Sequence, residues 1–100
     1  MLDEQGMLAL ESHIRQILEA RRKEIRMTET ELGKQAFPFA ADSRRKVQGI
    51  RNLSGNGKPQ RIKVGELLNL CEAMSLNWAE VLAEARAKTI AEKIETEKSF

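Results

Sequence analysis

The chain has 100 residues with a formal net charge of +2, 32% charged and 4% aromatic, a length that supports one hydrophobic core rather than two. No apolar run approaches the roughly 20 residues that cross a bilayer, and the first ten lack the basic start and apolar centre of a signal peptide, so a soluble cytoplasmic protein without membrane contact is expected. Cys71 and His13 are the sole cysteine and histidine, which leaves no internal disulfide, no metal set, no cofactor motif and no Ser/His/Asp or Cys/His constellation of an enzyme.

Apolar residues recur at spacings of three and four, there is no tyrosine, and sustained alternation is missing, so the expected class is all-α. The first helix is expected from about Leu8 to Arg22 or Ile25, with Leu10, Ile14, Ile17, Leu18, Arg21 and Ile25 on its inner side and His13 at the border of that stripe. Residues 1–7 are read as a flexible N-terminus. Thr28 and Glu31 form a capping box that opens a short second helix, with Leu32 and Ala36 facing inward and Pro38 as its stop. Phe37 and Phe39, in the apolar connector that follows, are expected to plug the core.

Asp42 or Ser43 caps a third helix that extends to about Leu53, where Ser54-Gly-Asn-Gly57 provides a stop and a loop. The fourth helix, from about Lys63 to Met74, directs Val64, Leu67, Leu68, Cys71 and Met74 inward. A second capping signal, Asn77 with Glu80, opens a fifth helix with Trp78, Val81, Leu82 and Ala85 as its core face. Helical composition continues to about Lys98, and Ala83, Ala87, Ile90 and Ile94 gather on the opposite side. That second stripe calls for a second cover, either the start of the first helix with Met7 and Leu8, or another chain in a homodimer; a frayed tail is the remaining alternative.

The charge is focused. Residues 42–63 contain Arg44, Arg45, Lys46, Arg51, Lys58, Arg61 and Lys63 against Asp42 alone, a net +6 between acidic flanks. Such a block suits a polyanion. In helical projection Val47 and Ile50 anchor the third helix, while Arg44, Arg45, Gln48 and Asn52 look outward. Arginine offers a fork to guanine O6 and N7, and Gln or Asn can do the same for adenine, so Arg44, Arg45 and Gln48 are candidate base readers. Asn52, Asn56, Lys58, Arg61 and Lys63 are candidate phosphate contacts, with Gly55 and Gly57 permitting close approach of the main chain. Thr28 and Ser43 complete the expected backbone-contacting set. Gly49, near mid-helix, lies on the flank between the two faces.

Met27-Thr-Glu-Thr-Glu-Leu32, Ser43-Arg-Arg-Lys-Val-Gln-Gly-Ile-Arg-Asn52 and Leu67-Leu-Asn-Leu-Cys-Glu-Ala-Met-Ser-Leu-Asn-Trp-Ala-Glu-Val-Leu82 stand in an order that resembles the XRE, or lambda-repressor-like, helix-turn-helix family over roughly residues 14–84. The resemblance implies a compact five-helix DNA-binding domain, here over 8–86, with 87–100 as a helical extension for dimer or partner contact. It also implies recognition of double-stranded DNA through the third helix and a repressor-like role in transcription. Three features depart from the family pattern: Glu29 replaces the common glutamine after the second cap, the turn before the third helix is lengthened, and Arg51-Asn52-Leu53 replaces Glu-Asn-Gly. An alternative reading is an antitoxin or phage adaptor that works mainly through protein contact along Ala83, Ala87, Ile90 and Ile94.

Overall fold

The computed structural model describes residues 1–51 and 61–98, which form five helices and no strand: α1 (Glu4–Glu24), α2 (Glu29–Ala36), α3 (Ser43–Arg51), α4 (Val64–Ala73) and α5 (Trp78–Lys98). Among the described residues no helix is long and apolar enough to cross a membrane.

Local chemistry sets most of the boundaries. α1 begins four residues before the expected Leu8, so residues 4–7 are helical: the Asp3 carboxylate accepts from the Gly6 N–H at 2.8 Å and caps the first turn. α2 opens with the expected reciprocal box, the Glu31 N–H reaching the Thr28 hydroxyl at 3.1 Å and the Thr28 N–H reaching Glu31 Oε1 at 3.4 Å. Asp42 serves the same purpose for α3 by accepting from the Arg45 N–H at 3.1 Å. Asn77 Oδ1 caps α5 through the N–H groups of Ala79 and Glu80, at 2.9 and 3.2 Å.

α1 and α4 end alike. Arg26 and Ser75 both take φ 55°, and the chain folds back with Met27 N–H on the Arg22 carbonyl (3.0 Å) and Leu76 N–H on the Cys71 carbonyl (2.8 Å). This left-handed closure satisfies helix-terminal carbonyls that would otherwise lack donors.

The core joins Ile14 and Leu18 of α1, Leu32 and Ala36 of α2, Phe37, Val47 and Ile50 of α3, Leu67, Leu70 and Cys71 of α4, Met74, and Val81 and Ala85 of α5. Each fully buried aliphatic side chain here contributes about 1.5 to 3 kcal/mol relative to exposure. Cys71 is a small core residue, and burial raises the pKa of its thiol.

Four expectations are corrected by position within the layers. Val64 is 75% exposed and Trp78 50% exposed, because each is the first residue of its helix and stands outside the layer where Leu67 and Val81 are covered. Phe37 is buried, but Phe39 is 75% exposed and only sets its ring edge-on to Phe37, with centroids 6.2 Å apart. His13 is buried rather than peripheral, and its Nε2 lies 3.0 Å from Glu92 Oε2.

That last contact belongs to the α1–α5 interface. The helices run antiparallel, Gly6 and Ala9 beside Thr89 and Lys93, and Ile17 and Ala20 beside Glu84 and Lys88. The inner face of α5 therefore continues past Ala85 to buried Thr89, whose hydroxyl donates to the Ala85 carbonyl at 2.8 Å. On the other side Ala83, Ala87 and Ile94 are exposed and Ile90 is half-buried. Met7 is itself 44% exposed, and the start of α1 faces Thr89 and Glu92 instead of covering this stripe.

Candidate nucleic-acid interface

α3 is short and highly charged, so it depends on its neighbours for a fixed position. Val47 and Ile50 enter the core from one side. Ser43 packs on α2 at Gly33, where a built Cβ would meet the Ser43 carbonyl oxygen at 2.6 Å and the Arg44 nitrogen at 2.9 Å. Only a residue without a side chain permits that approach. Arg15 Nε donates to the Ile50 carbonyl at 3.0 Å, which places a cation at the carbonyl end of α3 and suits the helix dipole.

Of the three α3 cations whose side chains are described, Arg44, Arg45 and Lys46, the last is half-buried and tied to a neighbouring helix. Lys46 Nζ bonds Glu66 Oε2 on α4 at 3.0 Å and lies 5.3 Å from the centroid of the Phe37 ring. Glu66 Oε1 also accepts the Lys63 N–H at 3.1 Å, so a single carboxylate ties α3 to the start of α4. Burial by itself pushes the Glu66 carboxyl up, but bonds from Lys46 and Lys63 outweigh it and the pKa is lowered.

What remains outward is Arg44, Arg45 and Gln48. Both arginines are exposed and Gln48 is half-buried. At about 100° per residue they occupy a sector of roughly 100°, turned away from Val47 and Ile50. Two guanidinium forks and a carboxamide can thus meet a partner lying along the helix without disturbing its core contacts. Gly49 is half-buried on the flank.

The other candidates are placed as follows. Thr28 is exposed, and its hydroxyl is engaged with Glu31 Oε1 at 3.0 Å. Ser43 is half-buried against Gly33, and Lys63 is exposed ahead of α4. Arg61 is exposed but bonded to Glu11 Oε2 through Nε at 2.6 Å. Asn52, Gly55, Asn56, Gly57 and Lys58 lie outside the described residues. Glu29 is half-buried, and its charge, after the direct bond that Arg22 donates to Glu19, helps to raise the pKa of Arg22.

Gly33, Glu11 and Glu66 are residues of this region that escaped sequence reasoning. Gly33 interrupts the α2 pattern Glu-Thr-Glu-Leu-Gly-Lys-Gln-Ala, and a lone glycine inside a capped helix is the signal that could have marked a close backbone approach. Glu11 carried no local signal, since its partners Arg61 and Ile62 are 50 and 51 positions away.

Compared with protein-family models, with curated proteins and with solved structures, the chain matches none of them.

Proposed function

We propose that this protein binds double-stranded DNA, entering the major groove with α3, and that it regulates transcription in the manner of the lambda-repressor-like helix-turn-helix proteins it resembles. The observation that carries the reading is the division of labour on α3. Val47, Ile50, Ser43 and Lys46 are committed to the interior and to α2 and α4, while Arg44, Arg45 and Gln48 share the outward sector. A helix fits the major groove, and these three side chains are the types that distinguish base edges there. The basic block of residues 42–63 supplies attraction for phosphate.

Selection of bound duplexes from a random pool, followed by titration of variants, tests this. Arg45→Ala is expected to cost about 1 to 3 kcal/mol on the selected site and to relax its specificity. Equal loss on selected and random DNA removes Arg45 from the readers, and a chain that selects no duplex at low salt removes the function.

The exposed Ala83, Ala87 and Ile94 favour a second component of the reading, association of two copies along α5. A partner protein bound at the same stripe, as in an antitoxin or adaptor, is the competing use. A pull-down that survives salt, without a mobility shift on any duplex, selects it.

A further inference from the structure

Glu11 and Arg15 stand one turn apart on α1 and hold the chain on either side of residues 52–60. Arg15 grips the Ile50 carbonyl at 3.0 Å, and Glu11 divides its carboxylate between two donors on the far side. Oε2 accepts from Arg61 Nε at 2.6 Å and Oε1 from the Ile62 N–H at 2.9 Å. The Glu11 side chain is 12% exposed and that of Arg61 64% exposed.

An acid beside a proposed phosphate contact is unexpected, because simple Coulomb repulsion makes it weaken polyanion binding. The geometry of the pair argues otherwise. Glu11 takes Nε, the inner edge of the guanidinium, and the two terminal nitrogens have no partner among the described residues. A nearly covered carboxylate thus holds the base of an exposed fork. The surrounding charge also limits the repulsion. Burial lowers the pKa of Arg15, Glu11 opposes that change and Arg61 adds to it, so the carboxylate acts within Coulomb reach of two guanidinium groups.

We propose that Glu11 is a positioning residue for DNA binding: by bonding Arg61 Nε and the Ile62 N–H together, it presents the terminal nitrogens of Arg61 as a preoriented phosphate clamp. The inference rests on the DNA-binding reading above. A flexible arginine must lose rotamer freedom when it grips a phosphate, and one already fixed at Nε loses less.

The test is titration of the full chain against its selected duplex and a random duplex, with thermal melting measured alongside. Arg61→Ala is expected to weaken both duplexes and to reduce the salt slope by about one. Glu11→Gln, which removes an acid, is expected to weaken both by about two- to tenfold, and to have no further effect in the Arg61→Ala background. Arg61→Lys keeps the charge without the Nε fork and is expected to lose nearly as much as Arg61→Ala, which tests the clamp without touching Glu11. A gain of affinity in Glu11→Gln, an additive loss in the double variant, or full binding by Arg61→Lys overturns the proposal while DNA binding stands. A wild-type chain that binds neither duplex overturns both.

Discussion

Gly33 meets the backbone of Ser43 so closely that a methyl group placed on it would lie 2.6 Å from the Ser43 carbonyl oxygen. Neither partner can swing aside, since both contacts are main-chain atoms of helices anchored in one core. Gly33→Ala is therefore expected to destabilise the fold by about 1 to 3 kcal/mol, against the usual gain from alanine in a helix. Chemical denaturation measures it; an increase in stability would show that α2 and α3 separate freely. Where the variant still folds, its separated helices should lose discrimination between selected and random DNA more than overall affinity.

The two left-handed closures invite the opposite change. Arg26 and Ser75 hold φ 55° despite their side chains, at the position after the helix cap where glycine is preferred. Both are exposed and neither side chain enters the core. Arg26→Gly and Ser75→Gly are each expected to raise stability, by up to about 1 kcal/mol, as relief of the αL conformation exceeds glycine's added entropy in the unfolded chain. Additive increases in the melting midpoint confirm two independent sites, and a decrease in either assigns its side chain a role in the fold.

Glu66 makes stability depend on acidity. Its ordinary value is 4.5, and the bonds from Lys46 and Lys63 hold it lower against the upward push of burial. A carboxyl whose pKa is depressed by folding contributes fully above its unfolded value and loses that contribution as pH falls through the folded one. Glu66→Gln is expected to cost about 1 to 2 kcal/mol at neutral pH. The wild-type chain should then approach the variant as pH falls from about 5 to 3. A gap that stays constant over this range would assign the stabilisation to shape instead of charge.

Ile94 is 46% exposed on the outer stripe of α5 and can be made basic without opening the core. Ile94→Lys should change stability by less than about 0.5 kcal/mol. In sedimentation at micromolar concentration the wild-type chain is expected as a dimer and the variant as a monomer. A monomeric wild type removes self-association along this face.

Helix identity was legible because its determinants are local. Thr28 with Glu31, Asp42 and Asn77 announce their helices within three residues, and the spacing of Ile14, Leu18, Leu67, Cys71, Val81 and Ala85 marks the inward faces. Periodicity fixes the direction of a side chain but not the layer in which it ends. Val64 and Trp78 fall on the inward stripe of their helices in projection yet begin those helices beyond the covered layer, and the burial of His13 depends on α5 passing over it. In the candidate interface the outward sector of α3 followed from projection alone. The pairing of Lys46 and the fixing of Arg61 did not, because Glu66 and Glu11 reach them from distant parts of the chain.

The antiparallel pairing of α1 with α5 also orders events during synthesis. α2, α3 and α4 can begin to associate as they leave the ribosome, but the face of α1 that includes His13 lacks its main cover until α5 follows. α1, although made before α5, is thus among the last of these five helices to be fully enclosed. Until α5 emerges, the face of α1 around His13 must be kept from other contacts, and the charged residues beside it, Glu11 and Arg15 among them, oppose premature association.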